Sequence, residues 1–337
     1  MKDNIKQDTL YSKEGCTQGD PSAMAFYAAG TKPLIDELEE CTDQEKCKQS
    51  WYADDSNAAG FLSEVKIWWQ RLNDMGPKYG YFPKASKCVL ILKDESLVTQ
   101  ANALFSGTGI TITCRGERHL GAVVGQESFK NEYVDQKIKK WIQDIKDLAY
   151  VANDEPQAAM SAYVKSICHR WVFLQRTVPG IRDNFIPLEE CIRHTLIPAL
   201  IGRQVSDVER QIISLPVRLG GLGIADPTET AEREYEASVK ITEDLANLIF
   251  LQKQDLSLYN RQATAEKVKT LKAAKERYLS EKFEGIISTI EDASLVRCLM
   301  LNREKGAGAW LTALPLKDHG YSLNCGVIYQ ILLNIPN

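Results

Sequence analysis

Apolar residues recur along this chain in two rhythms, and the change between them divides it. Up to Gly125 the pattern is mixed. Gly19-Asp20-Pro21 opens a helix, with Asp20 placed to cap it and Pro21 suited to its first position. That helix is expected to run from Ser22 towards Glu40, kinked or divided at Pro33, which has no N–H for the helical ladder. An acidic loop at 39–46 follows. Residues 47–60 read as a short strand, a turn at Asp54-Asp55 and a second short strand. Leu62, Val65, Trp69 and Leu72 then recur at spacings of 3, 4 and 3, the stripe of an amphipathic helix, which Gly76-Pro77 stops. Cys88 to Leu92 is a continuous apolar run of strand length. Ile110 to Thr113 alternates, Arg115-Gly116-Glu117 turns the chain, and His119 to Val124 returns, so this pair reads as a hairpin.

Beyond Gly125 the rhythm becomes helical. Val134, Ile138, Trp141, Ile145 and Leu148 repeat at 4, 3, 4 and 3, and Met160, Val164, Ile167, Trp171 and Leu174 do the same. The short loop at Asn153-Asp154-Glu155-Pro156 makes them an antiparallel helical pair. Trp141 and Trp171 sit in these stripes, so core packing is favoured for them over base stacking. A third helix is expected over 187–203, and Ser206-x-x-Glu209 is a capping box that opens a fourth. Leu215 to Ile224 is glycine-rich and reads as a domain boundary. It is no phosphate loop, since neither GxxxxGK[ST] nor GxGxxG occurs. Asp226-Pro227 caps a long charged helix reaching Gln252, a further helix covers 261–283, and 291–337 is weakly patterned. The fold class expected is α+β, with hairpins and helices in 1–125, an all-α region 126–225 and a helical C-terminal extension 226–337.

Composition changes this picture little. Hydrophobic residues make up 44% and charged residues 26%, enough to bury sizeable cores. No apolar stretch approaches the ~20 residues of a membrane helix, and Met1 to Thr9 is polar with mixed charge, so no membrane partner is expected and the expected location is intracellular, nuclear or cytoplasmic. The nine cysteines are odd in number and irregular in spacing, which favours reduced thiols over a disulfide framework. Cys168-His169 and Cys191-x-x-His194 could supply four zinc ligands, or could be neighbours within helices; no closed ligand spacing supports the zinc site.

The net charge of −4 is not the basic footprint of a nucleic-acid binder, but its distribution is uneven. Residues 1–60 hold 12 acids against 6 Lys and Arg, whereas 160–220 hold 8 Lys and Arg against 5 acids. Lys165, Arg170, Arg176 and Arg182 either track a phosphate backbone or form a solvated face.

The candidate chemistry sits at Asp54-Asp55. Adjacent carboxylates repel one another unless a cation neutralises them. Mg²⁺ prefers hard oxygen ligands and is often held by one or two carboxylates plus substrate phosphates. An aromatic approach, Trp51-Tyr52-Ala53, leads directly into the acidic pair. Tyr52-Ala53-Asp54-Asp55 matches the YxDD motif of reverse transcriptases, and Glu14 to Pro21 resembles the upstream QG motif, with Asp20-Pro21 standing where the spacing to SP is commonly longer. Gly80-Tyr81-Phe82-Pro83-Lys84-Ala85-Ser86-Lys87-Cys88 resembles the following motif, a glycine and a lysine flanking a loop. His119-Leu120-Gly121 resembles the primer-gripping hairpin. Leu215-Pro216, Gly220-Gly221-Leu222-Gly223 and Gly306 to Leu311 resemble segments found downstream of the polymerase core.

Taken in order, these segments make the chain resemble a retrotransposon reverse transcriptase of the kind without long terminal repeats. The resemblance implies a partial polymerase palm followed by a thumb-like bundle. It also implies an RNA template, a DNA primer and dNTP as partners, and Mg²⁺ or Mn²⁺ as cofactor. Asp54 and Asp55 would be catalytic metal ligands, Lys87 would lie near the nucleotide phosphates, and Gln18 and Gly19 would lie under the templating base pair. Tyr52, His119, Leu120 and Gly121 would contact nucleotide or nucleic acid. The family uses a third carboxylate on a strand well upstream of the QG motif; Asp3 and Asp8 lie in polar surroundings without a strand pattern, so an N-terminal polymerase segment is expected to be missing and the isolated chain to be inactive. The competing expectation is a non-catalytic nucleic-acid-binding or assembly remnant using 126–225.

Overall fold

In a computed structural model of the chain, the structure describes residues 19–312, apart from 254, 256 and 258, together with residue 320. Gln18, Asp3 and Asp8 lie outside the described residues. The chain is α+β and forms two compact units. Of the described residues, one unit comprises those through Cys114 together with those between 247 and 256, and the other comprises Arg115–Ala246 and those from Ser257 onward.

The first unit contains α1 (Ala23–Glu40), β1 (Cys47–Tyr52), β2 (Asp55–Gly60), α2 (Leu62–Met75), β3 (Val89–Ile91), α3 (Val98–Leu104) and β4 (Thr111–Thr113). Asp20 does not cap α1 itself. Its Oδ1 accepts the Ser22 N–H at 2.7 Å, a turn before the helix begins. Pro33 neither ends nor divides α1, which continues to Glu40. The predicted stripe of α2 is real: Val65, Trp69 and Leu72 are buried with Trp68, Met75, Leu34, Leu38, Cys47 and Phe105. Burying each large apolar side chain of this kind contributes about 1.5–3 kcal/mol.

The expected hairpin of 110–113 with 119–124 is not formed. Residues Thr111–Thr113 pair parallel with Val89–Ile91, with Leu90 opposite Ile112. A parallel pair needs a crossover connection, and α3 supplies it. The hairpin lies further on, between β5 (Gly116–His119) and β6 (Ala122–Gly125), with Leu120-Gly121 as its turn. Gly116 is therefore not a turn residue. It faces Gly125 across the strands, and a Cβ on it would come within 2.5 Å of the Val124 carbonyl.

In the second unit, β5 and β6 lead into α4 (Glu127–Asp154), α5 (Pro156–Lys165), α6 (Val172–Thr177), α7 (Ile186–Cys191), α8 (Ile197–Ile201), α9 (Asp207–Ser214), α10 (Pro227–Phe250, whose last residues belong to the first unit), α11 (Arg261–Thr289) and α12 (Ala293–Asn302). Trp141 and Trp171 are buried as expected, 6.1 Å apart, and Trp141 stacks on Phe185 at 6.2 Å. The second predicted helix keeps its apolar stripe but not its continuity. Ser166 leaves the helical region with φ −137°, and a 3-10 turn at Ile167–His169 separates α5 from α6. The third contains a π turn at Ile192–Leu196, just before Pro198. That proline has no N–H for the ladder, and Ile197 bonds instead to the Ile192 carbonyl five residues back.

The Ser206–Glu209 capping box is formed, with Ser206 N–H donating to Glu209 Oε2 at 2.8 Å. The glycine-rich segment 215–224 is part of the second unit's packing, with Leu215, Leu219, Leu222 and Ile224 buried. Arg210, buried, forks onto both oxygens of Glu189 at 2.6 Å and onto the Ile224 carbonyl at 2.8 Å. Burial raises the Glu189 carboxyl above its ordinary value, and Arg210 opposes that shift.

Candidate functional site

The YxDD segment forms the end of a β-hairpin. Its strands are antiparallel, from Cys47 opposite Gly60 to Tyr52 opposite Asp55. The turn is Ala53-Asp54, with Asp55 the first residue of β2, one residue off the expected turn. Side chains alternate across a strand. Cys47, Gln49 and Trp51 therefore face the core, as do Ala58 and Ser56 on β2, whereas Tyr52 and Asp55 share the opposite face. Tyr52 is 65% exposed, and Asp54 and Asp55 are both exposed. Ala53 adopts a φ of +54°, which costs a residue with a Cβ about 1 kcal/mol.

The turn is braced from the core side by Tyr81. Its hydroxyl donates to the Asp54 carbonyl at 2.9 Å and lies 2.8 Å from the Ser56 hydroxyl. The Tyr81 ring meets Trp51 edge-on at 5.2 Å. One side chain thus touches β1, β2 and the turn between them. Tyr81 is brought there by the 3-10 turn Gly76–Tyr79 and by Gly80 at φ +74°. Its N–H donates to the Gly76 carbonyl at 2.9 Å, and a Cβ on Gly76 would lie 2.5 Å from the Tyr81 carbonyl oxygen. Burial pushes the Tyr81 phenol above the ordinary tyrosine value; the Ser56 hydrogen bond lowers it, and electrostatic interaction with Cys88, Asp54 and Asp55 raises it further. Tyr27 on α1 is shifted up as well, by burial first and then by Tyr81 and Asp54.

Beneath the hairpin, Gln49 joins several elements. Its Oε1 accepts the indole N–H groups of Trp51 and Trp68, each at 3.1 Å, and its Nε2 donates to the Ile35 carbonyl at 3.0 Å. Its backbone N–H and C=O, on the outer edge of β1, are matched by the Gln252 amide at 3.0 and 2.9 Å. A side chain thereby covers part of an edge that would otherwise present unpaired strand groups.

The other predicted residues are distributed unequally. Gly19, at φ +93°, precedes α1 in the first unit. Lys87 is exposed on a 3-10 turn, Ala85–Lys87, also in the first unit, and forms no ion pair among the described residues. His119, Leu120 and Gly121 belong to the second unit, where Leu120 and Gly121 form the β5–β6 turn with φ +47° and +83°. Tyr133 donates its hydroxyl to the Gly121 carbonyl at 3.1 Å. Of the four basic residues considered for a phosphate track, Arg170 pairs with Asp144 and Arg176 with Glu234. Sequence reasoning missed Tyr81, although it lies inside the quoted Gly80–Cys88 segment, and missed Gln49, Gln252 and Tyr133.

Among the described residues, no group of three or more His, Cys, Asp or Glu converges as a metal cage. Asp54 and Asp55 together offer two carboxylates of hard oxygen donors, and neither forms an ion pair among the described residues. This donor set fits Mg²⁺ or Mn²⁺, which keep waters and accept further ligands from phosphates, as a partial site. No helix among the described residues is long and apolar enough to cross a membrane. No protein-family model, no curated protein and no solved structure matches the chain.

Proposed function

We propose that the chain is part of an RNA-directed DNA polymerase of retroelement type, in which Asp54 and Asp55 supply two of the carboxylates for catalytic Mg²⁺ or Mn²⁺. The observation that carries this reading is the exposed turn itself, with two adjacent carboxylates, no ion pair to either among the described residues, and Tyr52 on the same face as Asp55. When bound, the ions would activate the primer hydroxyl and stabilise the leaving pyrophosphate. Asp54 and Asp55 hold and orient them. Tyr52 offers an exposed ring against which a nucleotide can pack. Lys87 serves the triphosphate of the incoming dNTP, the Gln18-Gly19 segment serves the template, and His119-Leu120-Gly121 serves the DNA primer. On this reading residues 1–125 are a partial palm, 126–225 are thumb-like and 226–337 are a helical extension.

Primer extension on an RNA template tests it. The isolated chain is expected to extend weakly or not at all, because two carboxylates make an incomplete metal site. Supplied with a polymerase segment that brings a third carboxylate, it should extend, and Asp54→Asn or Asp55→Asn should abolish the activity. Extension indifferent to both substitutions would remove the reading. Strong extension by the chain alone, lost in Asp54→Asn, would show that it carries a complete metal set.

A further inference from the structure

Asp54 and Asp55 can serve one cation only if their side chains leave the backbone in fixed relative directions. Those directions depend on the peptide plane between the two residues, and the Asp54 carbonyl lies in that plane. The pairing of Tyr52 with Asp55 closes the ladder on the N–H side of that plane, and the Asp54 carbonyl on its other side points away from the ladder. Tyr81 grips this carbonyl, at 2.9 Å, and its own oxygen is within 2.8 Å of Ser56 two residues further on. Its ring is held in turn by Trp51 on the opposite strand and by the tight return at Gly76. The hydroxyl stays 27 residues away in sequence and reaches the turn from the core side, leaving the exposed face clear.

We propose that Tyr81 is a positioning residue for divalent-cation binding at this turn: by fixing the Asp54–Asp55 peptide plane it holds the two carboxylates in a cation-ready arrangement. This rests on the proposed metal role of Asp54 and Asp55. Tyr81 touches neither the ion nor a substrate; its effect passes through the backbone. Ser56 supports it by occupying the second hydrogen-bonding position of the same phenol.

The test is Mn²⁺ binding to the full chain, followed by electron paramagnetic resonance, in wild type, Asp54→Asn/Asp55→Asn, Tyr81→Phe, Ser56→Ala and Tyr133→Phe. Tyr81→Phe keeps the ring against Trp51 and removes only the hydroxyl. Loss of one such hydrogen bond should weaken Mn²⁺ binding roughly three- to tenfold, and Ser56→Ala should weaken it less. Tyr133→Phe deletes an equivalent hydroxyl under the other hairpin and should leave Mn²⁺ binding unchanged, which separates positioning from general loosening. Wild-type affinity in Tyr81→Phe, with binding still abolished in Asp54→Asn/Asp55→Asn, overturns the role of Tyr81 and leaves the metal reading intact. So does equal weakening by Tyr133→Phe. Absence of any Mn²⁺ binding that depends on Asp54 and Asp55 overturns the metal reading, and the role of Tyr81 with it.

Discussion

The β1–β2 and β5–β6 hairpins share a construction and differ in what they present. Each closes in a two-residue turn whose first residue is a non-glycine with positive φ, Ala53 at +54° and Leu120 at +47°. In each, a tyrosine hydroxyl from elsewhere in the same unit donates to the carbonyl of the second turn residue, Tyr81 to Asp54 and Tyr133 to Gly121. They part at that second residue. Gly121 is left-handed, giving the doubly left-handed turn that matches strand twist, whereas Asp54 is not left-handed. The second tip presents Leu120, 43% exposed, and Gly121 lies against the Phe173 ring. The first presents two carboxylates with no ion pair among the described residues. A braced tight hairpin is therefore a general device of this chain, and the functional reading of β1–β2 rests on the chemistry at its tip.

The largest effects are expected at the open ends of the hairpins, where both have glycine. A Cβ on Gly60 would overlap the Lys46 carbonyl and the Cys47 Cα, and one on Gly125 would overlap Gly116 and the Arg115 carbonyl. Gly60→Ala and Gly125→Ala should each cost about 2–4 kcal/mol in urea unfolding. Gly125→Ala should cost more, because Gly125 also sits at φ +145°. A neutral Gly60→Ala would mean that the base of the first hairpin can open, and the parallel between the two would fail.

Next comes Gln49, under the first hairpin. Gln49→Leu strands the N–H groups of Trp51 and Trp68 and the Ile35 carbonyl. Fully buried groups left unpaired cost roughly 1–3 kcal/mol each; these three are partly buried and fall at or below the low end, so a total loss of about 2–3 kcal/mol is expected, measured by thermal unfolding. Little change would show that water replaces the amide. Smaller still is Tyr133→Phe, which should cost about 1 kcal/mol and speed hydrogen exchange around Gly121. The smallest effects are gains: Ala53→Gly and Leu120→Gly relieve a left-handed residue and should be neutral to about 1 kcal/mol stabilising. A clear loss in Leu120→Gly alone would reveal packing by Leu120 that the first tip does not share.

Local signals made much of this legible. The stripes of α2 and α4, the Ser206–Glu209 capping box and the acidic hairpin all announce themselves within a few residues of sequence. What stayed hidden depends on distant partners. Thr111–Thr113 has the alternation of any strand, and only the fold pairs it in parallel with Val89–Ile91 through α3. Tyr81 reads as one aromatic among several in its loop, because the carbonyl it braces is 27 residues away. Gln252 reads as the polar end of a helix, yet its partner on β1 lies 203 residues away. The break at Ser166 is invisible because the apolar spacing continues across it. At the candidate site, the sequence located the carboxylates to within one residue of their turn but said nothing of what holds them.

The central claim is that Asp54 and Asp55 bind a divalent cation, and cleavage by a substituted ion tests it at the place itself. Fe²⁺ replaces Mg²⁺ in the full-length chain, ascorbate and peroxide generate hydroxyl radicals at the bound metal, and the fragments are mapped by mass spectrometry. The expected result is cutting centred on residues 52–56, competed by Mg²⁺ and absent in Asp54→Asn/Asp55→Asn. Cutting elsewhere, or cutting at the turn that survives the double substitution, would contradict it.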